Sequence, residues 1–236
     1  MRHCCTLLFA LLASASLPAG ALEPFAARYD AYSQGKLAGS ASMKLVRDES
    51  ERWRMDLGIR GSRGFARLLA LNIEQSTVFD TAGEVLRPLS QATVKHALFT
   101  DTKVLGMFDW QARTARWKGH VDKDRLAPVA LQDGDMTALL MNLAVIRDAQ
   151  PGRELAYRVV ENGRARGYRY AVAPATETVS VGELGYDALR VARSNGGSKE
   201  TVFWVAQGVP IPIRILQREN GEETLDLRLV EYQGVQ

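Results

Sequence analysis

Cysteine is nearly missing from this sequence. Both copies, Cys4 and Cys5, precede an apolar run from Thr6 to Ala13. Arg2 and His3 stand before that run, and Ala19-Gly20-Ala21 offers a small-x-small site after it. Together these are the parts of a secretory signal peptide over residues 1–21. Cleavage after Ala21 leaves a mature chain, 22–236, with no thiol. Such a chain has no disulfide, no cysteine-bound metal and no cysteine nucleophile. The two cysteines come too early to be the lipidated residue of a lipoprotein signal. The apolar run is too short for a membrane-spanning helix, and no long apolar segment follows that would retain it as an anchor. The expected address is the periplasm of a Gram-negative cell.

Charge of one sign is also in short supply. Thirty Lys and Arg stand against twenty-seven Asp and Glu, a net charge of +3, so nothing favours nucleic acid as a partner. Histidine is scarce: beyond the signal only His96 and His120 remain, and neither lies in an H-E-x-x-H pattern. No G-x-S-x-G elbow is present; Gly61-Ser62-Arg63-Gly64 does not match it. A triad of His96, Asp101 and a serine such as Ser90 would need the fold to assemble it. Spacing gives no reason to expect a hydrolase, and no catalytic residue, cofactor or metal ligand is assigned.

What the chain does have is alternation. Trp53, Met55, Leu57 and Ile59 alternate with Arg52, Arg54, Asp56 and Gly58, the period-two signature of a half-buried strand. Phe25 to Ser33 and Lys36 to Arg47 read as a first hairpin. The small residues Gly39, Ser40, Ala41 and Ser42 there suggest strong curvature or close approach of another element. Strand signals continue from Ile73 to Trp117. Phe65 to Leu71 reads as a buried strand or a short amphipathic helix; its place after a glycine-rich break would suit a lid, but an ordinary strand or corner is the plainer reading. The convincing helix runs from about Asp135 to Asp148, with Asp135 as its cap, Met136, Leu139, Leu140, Leu143 and Ala144 on one face, and Pro151-Gly152 as its stop.

Two Glu-Asn-Gly turns fix registers. At Asn162-Gly163 a two-residue loop sets Tyr157 opposite Tyr168, Leu155 opposite Tyr170 and Glu161 opposite Arg164. At Glu219-Asn220-Gly221 a three-residue bulged loop sets Ile215 opposite Leu225, Ile213 opposite Leu227 and Ile211 opposite Leu229. Its other face then pairs Arg218 with Glu222 and Arg214 with Asp226. A bare two-residue loop would instead set Ile213 against Arg228.

Few side chains suggest chemistry. His120, Asp122, Asp124, Asp133 and Asp135 carry oxygen and nitrogen donors suited to a hard cation. They lack EF-hand spacing, and a solvated loop leading into a helix cap accounts for them. Arg164, Arg166 and Arg169, interleaved with Tyr168 and Tyr170, resemble a nucleic-acid stripe. Export makes anionic lipid head groups, lipopolysaccharide or glycan the more natural partners, and a solvated strand face with inward tyrosines is the plainer reading.

The segment Thr201-Val-Phe-Trp204-Val-Ala206, followed by Val209-Pro210-Ile-Pro212-Ile-Arg214, resembles an exported bacterial family, domain of unknown function 3108. The resemblance extends to the helix, the Pro151-Gly152 step and the Gly182-Glu183-Leu184-Gly185 turn. It implies an exported, mainly antiparallel β protein and assigns no activity. By architecture alone, it looks like the open barrels, plugged by a helix, that carry lipids or lipoproteins across the periplasm.

The expected fold is therefore mainly β: one antiparallel domain, a strongly curved sheet or open β-barrel with one main α-helix packed on it. The leading expectation of function is a non-enzymatic periplasmic binding or envelope-maintenance protein with an apolar or lipidic ligand. The alternative is an interaction or scaffold protein with an envelope partner, and a second alternative is a hydrolase.

Overall fold

The computed structural model describes residues 22–62, 72–97, 100–234. Residues 1–21, read above as a signal peptide, and the ambiguous segment Phe65 to Leu71 lie outside them.

Alternation of apolar and polar side chains builds fourteen strands into one antiparallel sheet. The first half comprises β1 (Phe25–Ser33), β2 (Lys36–Arg47), β3 (Trp53–Gly61), β4 (Asn72–Ala82), β5 (Val85–Ala97), β6 (Thr100–Asp109), β7 (Thr114–Gly119) and β8 (Val129–Ala130). The second comprises β9 (Glu154–Glu161), β10 (Arg164–Val181), β11 (Leu184–Arg193), β12 (Lys199–Ala206), β13 (Arg214–Glu219) and β14 (Glu222–Gly234). Each half is a meander, and β1 pairs with β14 to join them, giving the order 8-7-6-5-4-3-2-1-14-13-12-11-10-9. The sheet curls until its two ends come together at a single seam.

Following the registers across the strands separates the faces. One row runs Leu45, Met55, Thr77, Gln91, Gly106, Trp117, and another runs Ala31, Leu227, Ile215, Phe203, Val191, Val172. All of these positions are buried, and they line the inside of the curl. The interior is filled by α1 (Ala138–Asp148), about 16 Å long at 1.5 Å per residue. It touches β9 on one side and β3 and β4 on the other. Leu139 through Val145 are all buried, more than one stripe of the helix, because α1 meets sheet in several directions.

The helix starts later than its sequence suggests. Thr137 caps it, its hydroxyl accepting from the Leu140 amide at 3.3 Å. Asp135, expected as the cap, is fully buried; its Oδ2 accepts from the Gln132 amide and from Arg158. An acid with a guanidinium in reach forms the stronger, charge-assisted bond, so the cap passes to the threonine.

The seam is an overlap. On β9 and β10, Tyr157, Val159 and Tyr168 share the inner face with Tyr170, so Val160 and Ala165 face outward. Phe108, Ala115 and Trp117, on the inner face of β6 and β7, pack against those outward residues as a second small core. The β9–β10 hairpin therefore lies inside the β6–β7 lip, like the inner turn of a scroll. Met136 ties the layers together, donating to the Arg158 carbonyl and accepting from the Val160 amide. Gly106 belongs to this packing: a Cβ there would fall 2.6 Å from the Trp117 indole nitrogen.

Both Glu-Asn-Gly sites turn in two residues, with Asn162-Gly163 and Asn220-Gly221 all at positive φ, the primed turn that matches strand twist. At the first, Tyr157 faces Tyr168, Leu155 faces Tyr170 and Glu161 faces Arg164, as expected. At the second, the expected three-residue loop is wrong. Glu219 pairs with Glu222 and Arg218 with Glu223, and a bulge then shifts the register between Gln217 and Arg218. Beyond it Ile215 meets Leu227, Gln217 meets Leu225, and the Leu229 amide donates to the Ile213 carbonyl. The extra residue is inserted in β14, where the Thr224 hydroxyl donates to the Gln217 carbonyl at 3.1 Å. Turn geometry and apolar matching are thus both satisfied, which neither register read from the sequence achieved. Ile211 and Ile213 are buried in the bend before β13 rather than within a strand. The Tyr29 hydroxyl fastens that bend to β1, donating to the Pro212 carbonyl at 2.9 Å.

The outer face of the second half is unusual in being buried as well. Val202, Trp204, Leu216 and Asp226 all lie there with little or no exposure. Arg214 donates to both carboxylate oxygens of Asp226 at 2.8 Å and stacks over Trp204 at 4.7 Å. Arg228 donates to the same carboxylate at 2.9 Å and stacks over Tyr32 at 4.3 Å. Trp204 donates its indole N–H to Glu177. The expected Arg214–Asp226 pair is present, but diagonally, since Arg214 faces Arg228 across the ladder. Removing one partner of a buried ionic pair strands the other and costs roughly 3 kcal/mol or more. Asp226→Asn should therefore lower the unfolding free energy by about that amount in urea titrations, whereas exposed Arg28→Gln, whose Glu231 pair is also exposed, should change it by less than about 1 kcal/mol.

Candidate functional site

The residues singled out by the sequence do not assemble into a catalytic or metal centre. His96 and Asp101 do meet across β5 and β6, at 3.0 Å, on the solvated outer face. Ser90 sits six residues down the same strand, about 20 Å away at 3.3 Å per residue. His120 is exposed, its backbone continuing from the end of β7. The four aspartates near it are each taken by an arginine: Asp122 by Arg125, Asp124 by Arg164, Asp133 by Arg113 and Asp135 by Arg158. Among the described residues no three His, Asp or Glu side chains come close enough to hold a metal ion.

Among the described residues the curled interior is packed. Helix α1 and the inner residues of both meanders form a single cluster, from Phe25 and Met43 through Phe79 and Leu140 to Tyr170 and Leu229. Concavities of ligand size open instead on the outer surface. One, of about 600 Å³, crosses β1 to β5. Its floor is a run of short side chains, Ser40, Ser42, Gly58, Ser76 and Ala92, brought side by side by the strand registers. The rim carries both signs: Arg28 and Arg60 against Asp30, Asp56 and Glu74. The small-residue tract at Gly39 to Ser42 marks this groove, although the sequence shows only the tract and not the neighbours that extend it. Gly39 also answers the close approach expected there, for a Cβ would lie 2.0 Å from the Arg60 carbonyl oxygen.

The Arg–Tyr stripe of β10 splits between faces. Arg164, Arg166, Tyr168 and Tyr170 share the inner face and Arg169 takes the other. Tyr170 is buried, and Arg193 lies over the Tyr168 ring at 4.4 Å. Tyrosine packing inward is thus right for Tyr170, while Arg164 and Arg166 reach the mouth of the scroll.

At that mouth lies a carboxyl group that the sequence marked only as part of a turn. Glu161 ends β9, and its Oε1 accepts from the Gln91 amide nitrogen at 3.0 Å across the seam. Burial pushes its proton affinity above that of an ordinary glutamate; the Gln91 hydrogen bond and the charges of Lys95 and Arg166 act against this. A carboxyl group raised in the folded state holds its proton longer than in the unfolded chain. Its stabilising contribution is then complete below the ordinary glutamate range and is lost as pH rises through the folded value. Glu161→Gln, which keeps the shape without the charge, should raise the melting temperature at pH 8 and leave it nearly unchanged at pH 4. Equal effects at both pH values would remove this account.

No curated protein matches the chain. A crystal structure of a β-barrel-like protein of domain of unknown function DUF1849 from Brucella abortus is similar at 11% identity. That likeness covers 91% of this chain and 99% of the other, with a TM-score of 0.51; it concerns the fold alone. A DUF1089 family protein from Pseudomonas aeruginosa gives a TM-score of 0.38 at 11% identity, over 88% of this chain and 95% of that one. The model of DUF3108, described as a protein of unknown function, matches residues 28–228, from the middle of β1 into β14. With the match running across both meanders and the helix between them, the chain belongs to the DUF3108 family.

Proposed function

We propose that this protein is an exported, non-enzymatic interaction protein of the cell envelope that engages its partner through the outer face of the sheet. The observation that carries this reading is the filled interior: α1 and the inner side chains occupy the space in which a carrier would hold a lipid. A barrel used as a carrier needs a lined cavity, so an apolar ligand inside the curl is the weaker alternative. Positive support comes from the groove over β1 to β5, whose short floor and mixed-charge rim suit the backbone and side chains of another protein. The signal-like start of the chain supports a periplasmic site of action. A hydrolase draws no support from two solvated histidines, one of them paired with an exposed aspartate.

Native mass spectrometry of protein purified from the periplasm separates the two binding readings. The bare mass of the mature chain is expected; a stoichiometric lipid adduct that survives desalting would restore the carrier. A photo-crosslinking residue at Ser42, in the groove, should also give a discrete protein adduct in intact cells. The same residue at Glu183, in the β10–β11 turn, should give none.

A further inference from the structure

From the mouth of the scroll we infer a binding site for a single oxyanion, a phosphate or phosphate monoester, formed by Arg125, Arg164 and Arg166. The inference stands apart from the partner groove on β1 to β5 and does not depend on it.

The site is built by three local constraints. The two-residue turn at Asn162-Gly163 sets Arg164 opposite Glu161 and Arg166 opposite Val159. Two guanidinium groups are thereby placed two residues apart on one face of β10. A single 3₁₀ turn, Lys123–Arg125, brings the third. Gly163 lets that turn approach the hairpin: its φ is +72°, and a Cβ would fall 2.1 Å from the Arg125 carbonyl oxygen. The three arginines, with Val159, Glu161 and Tyr168, line a cavity of about 100 Å³. The cavity opens to solvent on one side and has room for one phosphate group against the three guanidinium groups.

The charges there are incompletely matched. Arg125 gives its Nη2 to Asp122 at 2.7 Å, but its Nε is buried and has no hydrogen-bond partner among the described residues. A buried donor left unpaired is costly, more so when it is charged. Arg164 has Asp124 at 3.0 Å, an acid that is mostly exposed. Arg166 forms no ion pair among the described residues. Like charges set side by side repel unless an anion lies between them, and the planar fork of arginine matches the oxygens of phosphate. Glu161 is the one acid lining the cavity. It is turned toward Gln91, and burial favours its neutral form, so it opposes an anion less than an exposed carboxylate would.

Phosphate presented as a free ion and phosphate presented by a lipid head group share this chemistry. Isothermal titration of the mature chain with inorganic phosphate should give saturable one-to-one binding with a dissociation constant below the order of 10 mM. Arg166→Gln should weaken it by about tenfold or more, the loss expected for one charge-assisted contact. Arg116→Gln, on the outer face of β7 away from this cavity, should leave it unchanged. Unaltered melting of Arg166→Gln would show that the loss is local, and Arg166→Lys should recover part of the affinity. Co-sedimentation with phosphatidylglycerol vesicles, lost in Arg166→Gln, would assign the head group as source; binding of free phosphate without vesicle binding would assign a soluble anion. Absence of saturable phosphate binding, or equal affinity in the native chain and Arg166→Gln, would overturn the site.

Discussion

A sheet that curls toward a barrel must fill the space it encloses, and that requirement governs this molecule. Inner rows of leucine, isoleucine, methionine and aromatic residues lose water only if something packs against them. Fourteen strands enclose more space than their own side chains fill, and α1 supplies the missing volume. Because the helix meets β3 and β4 on one side and β9 on the other, it sets how far the sheet can close. The overlap of β9–β10 beneath β6–β7 follows: with a helix inside, the edges pass each other instead of joining in one ladder.

This packing also decides where chemistry can occur. An interior committed to stability leaves the outer face and the scroll mouth as the accessible concave surfaces. The second half of the outer face is itself occupied by the arginine and aromatic ladder from Glu177 through Trp204, Arg214 and Asp226 to Arg228 and Tyr32. Among the described residues the first half, floored by serine, glycine and alanine, has no such covering. The two meanders share a strand grammar and divide the labour.

The alternation at Trp53 to Ile59 and the Asn162-Gly163 hairpin were fully legible, since both rest on interactions between near neighbours in sequence. The register at Asn220-Gly221 was not. A bulge there reconciles two local preferences, and its presence depends on what β1 and β12 present on either side. The helix was legible and its cap was not, because Arg158, twenty-three residues on, claims Asp135. The aspartates near His120 looked like ligands only while their arginines were unknown. The arginine cavity was the least legible feature: its third member is placed by contact of Arg125 with Gly163, which no spacing in the chain announces.

The central position of the β1–β14 pair has a consequence for how the molecule forms. Within each meander every ladder joins consecutive strands, so loop closure is short and each half can zip from its turns. Joining the halves is another matter, for Arg28 meets Glu231 across 203 residues. Such long-range pairing closes slowly and late. Until it does, β1 and β14 are bare edges carrying Phe25, Tyr29, Leu227 and Leu229, the kind of surface on which chains stick to one another. Of the described strands β14 comes last in the chain and pairs with β1, the earliest, and the interval between their synthesis is the hazardous period of this fold.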